Sequence, residues 1–260
     1  MPANAAWPFL DWPGPLAIAH RGGASEEPEN TMPAFARAVA LGYRYVETDV
    51  HLTADGVLVA FHDDRLDRVT DGTGAIAELP WSVVRAARVD GREPIPLLED
   101  LLGEWPDLRV NIDPKHDAAA EPLADVLVRT GAADRVCVGA FSDKRIARVA
   151  ARVEAAGGGP LCTSMGPRQV ARLVASSRGL PGGAGVLAPC AQVPVRQGRV
   201  PLVTRRFVDA AHRRGIQVHV WTIDDRREME ELLDLGVDGI MTDRPLVLKE
   251  LLQERGQWAA

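Results

Sequence analysis

Along the chain, short apolar runs alternate with longer stretches in which apolar residues return at helical spacing. The short runs predict strands at 16–19, 45–50, 57–61, 108–112, 136–140, 161–163, 185–188, 217–221 and 238–241. The longer stretches predict helices at 32–41, 97–102, 121–130, 144–155, 168–176, 205–214, 226–235 and 246–254. Alternation of this kind marks βα units around a parallel sheet. One strand stands outside it. Only HLTADG separates Val50 from Val57, too little chain for a parallel crossover. Asp55-Gly56 is a hairpin signal, so the run 57–61 is expected to return antiparallel to 45–50. Eight strands then remain, each followed by a helix. The expected fold is α/β: a (β/α)8 TIM-type barrel with an extra antiparallel hairpin strand after strand 2. An open doubly wound sheet is the alternative, but no Gly-rich phosphate fingerprint follows an early strand. From Asp64 to Pro96 the rhythm breaks into DGTG and Pro turns, read as a small insertion, about 64–96, over one end of the barrel. Residues 1–260 are read as one barrel domain, with loops at GGGP 157–160 and PGG 181–183.

With 260 residues, 46% of them hydrophobic, the chain can bury a core without a disulfide or metal staple. The net charge is −6 and the arginines are scattered, so no basic stripe offers itself to a nucleic acid. No apolar run approaches a membrane span, and no stable membrane insertion is expected. The opening MPANAAWPFLDWPGPL has neither a positive nor a long apolar region. Residues 1–14 are read as a lead-in packed on the body of a cytoplasmic protein. Cys137, Cys162 and Cys190 are widely spaced and odd in number. That fits neither a disulfide framework nor a zinc cluster, and they are read as reduced, buried thiols.

The chemistry gathers at strand ends. An idealised hairpin centred on Ala54-Asp55 sets Glu47 opposite His62 and Asp49 opposite Ala60. Glu47 and Asp49, two apart, share one face of their strand. His20 ends the first strand in IAHRGGA, with Arg21 next in the loop. Asp113 and Lys115 end another in NIDPK, and His219 and Trp221 share a face of a third. Barrel active sites lie at the carboxyl ends of strands. Singly, each residue has a structural reading: a hydrogen-bonded histidine, a solvated acid pair, an Asp-Pro turn, a core indole. Together they place three acids at one mouth, and acids so placed repel one another. Lys115 and Arg21 relieve this in part; a hard divalent ion held by oxygen ligands relieves it better.

The ordered motifs HRGG 20–23, ENT 29–31, ETD 47–49, HDD 62–64, IPLLED 95–100 and NIDPK 111–115 resemble the glycerophosphodiester phosphodiesterase family. WTID 221–224 and GVDGIMTDRP 236–245 resemble that family's closing motifs. The resemblance implies a phospholipase C-like barrel that hydrolyses glycerophosphodiesters to an alcohol and glycerol 3-phosphate. By that match His20 and His62 are the acid–base pair, and Arg21 and Lys115 the phosphate-binding cations. Trp221 is a candidate platform for the glycerol carbons. Glu47, Asp49 and Asp113 are the ligands of one divalent cation, Mg2+ or Ca2+. Asp113 stands where the family usually has Glu, one methylene longer. Asn30 and Thr31 are read as a helix N-cap, Asp243 as structural, and Asp63 as either an orienter of His62 or a cap. Two other functions share these residues. A lysophospholipase D-type enzyme on lipid substrates would be favoured by an apolar groove in 64–96. A catalytically silent barrel that binds phosphate ligands would be favoured by a missing histidine, and both are present.

Overall fold

The computed structural model describes residues 7–180, 185 and 188–259. In chain order its strands are β1 (Leu16–Ala19), β2 (Tyr45–Leu52), β3 (Leu58–Ala60), β4 (Arg88–Val89), β5 (Glu93–Pro94), β6 (Arg109–Pro114) and β7 (Val136–Val138). There follow β8 (Cys162–Thr163), β9 (Cys190–Pro194), β10 (Arg196–Gln197), β11 (Val200–Pro201), β12 (Gln217–Trp221) and β13 (Gly239–Thr242). Strands β8, β7, β6, β2, β1, β13, β12 and β9 neighbour one another in that order, all parallel. An isolated parallel bridge between Ser164 and Cys190 joins the two ends, so the sheet is a nearly closed (β/α)8 barrel.

The helices are α1 (Met32–Ala40), α2 (Trp81–Val84), α3 (Leu98–Glu104), α4 (Ala120–Arg129), α5 (Asp143–Ala155), α6 (Pro167–Ser177), α7 (Arg205–His212), α8 (Arg226–Leu235) and α9 (Pro245–Glu254). Each long helix turns one apolar stripe to the sheet. In α5 the buried residues are Ile146, Val149 and Val153, spaced three and four apart. Hydroxyl caps start several of them: Thr31 accepts from the Ala34 N–H and Ser142 from the Arg145 N–H.

Three expectations shift. The β2–β3 pairs are Val50–Ala60, His51–Val59 and Leu52–Leu58, one residue away from the idealised register. Asp49 therefore faces Phe61 rather than Ala60, with the Phe61 N–H donating to the Asp49 carbonyl at 2.9 Å. Glu47 and His62 are not cross-strand partners. The cause is a three-residue loop instead of a two-residue turn. Thr53 Oγ1 accepts the Val57 N–H, and Gly56 takes a left-handed φ of 83°. The strand expected at 185–188 also moves: the ladder uses Cys190–Pro194, and residues 186–187 lie outside the described residues, as do 181–183. Finally, residues 64–96 bury their own apolar side chains. Leu66, Ile76, Val84, Val89 and Ile95 pack with Val59 and Phe61 into a separate small core.

The amino end of the barrel is plugged by the lead-in. Phe9 and Leu10 are buried among Leu16, Ile18 and Tyr45. The Tyr45 hydroxyl donates to the Phe9 carbonyl at 2.8 Å, and the Phe9 ring meets the Tyr45 ring edge-on. Residues 1–6 of the lead-in lie outside the described residues.

Candidate active site

All eight parallel strands point their carboxyl ends at one mouth, and a cavity of about 780 Å3 opens there. His20, Arg21, Glu47, Asp49 and His62 line it, with Asp113, Lys115 and Trp221. The residues singled out from the sequence at distant positions thus meet in one space, with the exception of His219. That imidazole is fully buried below the cavity floor, held by Gln217 and Gln192, and does not reach the mouth.

The HRGG turn is built to bring His20 and Arg21 inward. Gly22 and Gly23 both take left-handed φ, 85° and 96°. A Cβ on Gly22 would stand 2.8 Å from the Ala34 Cβ, and one on Gly23 would stand 2.6 Å from Pro245 Cγ. Only glycine lets this turn wedge between α1 and the start of α9. Arg21 itself, at φ 51°, donates its backbone N–H to Glu47 Oε2 at 3.1 Å.

The two histidines are held in the same manner. His20 Nδ1 lies 2.8 Å from Asp243 Oδ1, and His62 Nδ1 lies 2.6 Å from Asp63 Oδ1. A carboxylate only accepts, so each Nδ1 carries a proton and each Nε2 is left for chemistry. His20 Nε2 sits 3.8 Å from Glu47 Oε2. His51 Nε2 binds the His62 carbonyl at 3.0 Å and steadies that segment from below. Burial opposes charge on His20, but Glu47 and Asp243 outweigh it and raise its pKa. Asp63 is pulled down to about 2, chiefly by hydrogen bonds from Arg68.

The acids form a ledge across β2 and β6. Asp49 lies beside Asp113 in the ladder, and Glu47 beside Asn111. Lys115 Nζ bridges Asp49 Oδ1 at 2.5 Å and Asp113 Oδ2 at 2.9 Å. Arg21 Nε stands 3.3 Å from Asp49 Oδ2, outside hydrogen-bond geometry, while its NH1 donates to Glu29. Burial pushes Asp49 up, yet Lys115 and Arg21 prevail and hold it below the usual range. Burial, then the Asp49 charge, push Glu47 up to about 7, with His20, Lys115 and the Arg21 N–H opposing. Asp113 is also raised by burial, with Lys115 opposing. Three carboxylates on one ledge, two of them sharing a single ammonium, suit a hard cation with oxygen ligands.

Four residues here lacked an assigned role or had the wrong one. Asp243 anchors His20; its signal was a place at the end of the last strand, where every carboxyl end faces the mouth. Asn30 does not cap α1, which Thr31 does. It donates Nδ2 to Asp49 Oδ2 at 3.3 Å and accepts from Thr48 Oγ1 at 2.8 Å. Glu29 receives both Arg21 and Arg68. Arg68, from the inserted segment, clamps Asp63 with two hydrogen bonds.

Residues 20–247 match the family model described as the glycerophosphoryl diester phosphodiesterase family. The chain belongs to this family. It is 42% identical over 256 residues, 96% of this chain and 95% of the relative, to a probable glycerophosphodiester phosphodiesterase 2 of Mycobacterium tuberculosis. It is 27% identical to the lysophospholipase D GDPD1 of Rattus norvegicus, covering 90% of this chain and 85% of that one. A phosphodiesterase of Oleispira antarctica, solved in complex with the product sn-glycerol-3-phosphate, shares the fold at a TM-score of 0.75 and 21% identity, over 92% of this chain and 97% of that one. As a family member the chain is a phosphoric diester hydrolase, a glycerophosphodiester phosphodiesterase.

Proposed function

We propose that this glycerophosphodiester phosphodiesterase works with two histidines and one divalent cation, Mg2+ or Ca2+. The observation that carries the reading is the matched pair of imidazoles, each with Nδ1 on an aspartate, lining the cavity that holds the acidic ledge. Glu47, Asp49 and Asp113 would hold the ion, whose contribution is Lewis acidity toward a non-bridging phosphate oxygen. Arg21 and Lys115 supply donors for the remaining phosphate charge. One Nε2 takes the proton of the attacking hydroxyl, from glycerol or water; the other protonates the leaving alkoxide. Glycerol 3-phosphate is the expected product, in keeping with the product complex of the Oleispira antarctica phosphodiesterase. A cytoplasmic setting belongs to the same reading and is supported by three unpaired thiols.

Release of glycerol 3-phosphate from glycerophosphocholine by wild type, His20→Ala and His62→Ala tests the pair. Each variant is expected to lose on the order of 100- to 10,000-fold in kcat. Full activity in either removes that histidine from the chemistry, and full activity after exhaustive chelation removes the ion.

One observation favours a lipid substrate as a second reading. Most apolar residues of the inserted segment, Val83 apart, pack into its own small core. The far wall of the cavity is apolar instead: Met165, Val170, Val174 and Leu202 line it, and Phe141 stands 72% exposed at the rim against Trp221. An apolar wall beside a phosphate site suits an acyl chain. The rat relative named a lysophospholipase D is in keeping with this. If the wall binds an acyl chain, Val174→Asp raises KM for lysophosphatidylcholine and leaves KM for glycerophosphocholine unchanged; equal effects on both reject the reading.

A further inference from the structure

The three cysteines that seemed unrelated in sequence converge. Cys137, Cys162 and Cys190 project into the barrel from β7, β8 and β9, and all three sulfurs lie within 4.8 Å of one another. Cys137 and Cys162 are register partners, and Cys137 Sγ is 3.8 Å from Cys190 Sγ. Three sulfurs around one ion at about 2.3 Å would stand about 3.8 Å apart in a tetrahedron and about 4.0 Å apart in a plane. The Cys137–Cys190 spacing is that of two ligands of one ion, and the third sulfur lies within 4.8 Å of both. Strands far apart in the chain become neighbours when the barrel closes, a nearness that spacing along the sequence does not show.

His219 lies on β12, the strand next to that of Cys190, but stands outside the group of ligand atoms within 4.8 Å of one another. The Gln217 amide fixes its tautomer. Gln217 Nε2 donates to the Leu10 carbonyl, so Gln217 Oε1 accepts, and His219 Nε2, 3.0 Å away, carries the proton. His219 Nδ1 is the acceptor, and Gln192 Nε2 donates to it at 3.4 Å, so both nitrogens of this imidazole are partnered.

We propose that Cys137, Cys162 and Cys190 form a buried site for a thiophilic d10 cation, Zn2+ in the first place, separate from the carboxylate ledge. Soft thiolates select such ions over Mg2+ and Ca2+. Binding breaks three S–H bonds and forms three Zn–S bonds. Three protons leave to solvent, and the loaded site carries one net negative charge. The route in is short. Asn111 and Gln192 floor the catalytic cavity; Cys137 pairs with Asn111 in the ladder, and Cys190 is two residues before Gln192.

The test uses Cd2+ as a spectroscopic probe on the folded, full-length chain. Wild type and Asp49→Asn, which cripples the ledge, are both expected to develop an ultraviolet thiolate-to-Cd2+ charge-transfer band that saturates at one equivalent. Cys162→Ser and Cys190→Ser are expected to lose most of it. Zinc in excess should abolish the band by displacement and release protons in weakly buffered solution. No band in wild type at excess Cd2+, or a band unchanged in both serine variants, overturns the proposal. If circular dichroism shows the serine variants unfolded, the wild-type titration decides by itself.

Discussion

Asp243 reaches His20 across 223 positions of sequence, and Asp63 reaches His62 across one. The two contacts are chemically alike, so the same substitution should have like effects. Asp243→Asn and Asp63→Asn are each expected to lower kcat by at least ~10-fold with little change in KM, since each frees an imidazole to turn or change tautomer. Steady-state kinetics checks this; a change confined to KM would show the aspartates acting on binding instead. Asp63 has a second signature. Its carboxyl, held near 2, binds protons less readily than the unfolded chain's, near 4. Its contribution to stability is therefore complete above pH ~4 and lost as pH falls through ~2. Arg68 is about half exposed, which limits the effect to less than ~1 kcal/mol. Urea melts of wild type and Asp63→Asn should differ by that amount at pH 7 and converge as the pH falls to about 2. Asn30→Ala strips both Asp49 and Thr48 of a buried partner, and about 1–3 kcal/mol of stability should go with it.

Elements show why some of this was legible and some not. The helices and most strands follow from apolar spacing, which tertiary packing reinforces; α8 begins and ends where the pattern places it. The motif ends HRG, ETD and NIDPK could be assigned to one mouth because parallel strands share a polarity. Hairpin register could not be assigned, since a loop of two or three residues reads alike until Gly56 is seen to take positive φ. Gly56 and Gly22 make a controlled pair. Nothing stands within 4 Å of a Cβ on Gly56, so Gly56→Ala bears only the left-handed backbone, about 1–2 kcal/mol. Gly22→Ala adds a clash with Ala34 at 2.8 Å and should lose more, and activity with it, because the turn carries His20. Denaturant melts and kcat on both variants separate strain from collision.

Across the molecule, the two ends of the barrel divide the labour. The amino end is closed by the lead-in, which Tyr45, Gln217 and Arg109 tie down through the Phe9, Leu10 and Asp11 carbonyls. Phe9→Ala should lower stability by about 3–5 kcal/mol with KM unchanged, as measured by denaturant melts and kinetics. The carboxyl end gathers the candidate groups other than His219, and what escaped the sequence there was adjacency: which loop meets which when the sheet curls round. The three thiols are the plainest instance. Among the described residues no helix is long and apolar enough to cross a membrane. The sheet itself is unevenly fastened. Between β2 and β6 six register pairs run side by side, whereas β8 and β9 share one bridge, backed by Met165 N–H to the Cys190 carbonyl and Gln192 N–H to Ser164 Oγ. A hoop sewn by so few stitches at one place should part there first. In deuterated buffer, the amide of Met165 is expected to exchange well before those of Val110 and Ile112, making this slit the natural doorway to the sulfurs behind it.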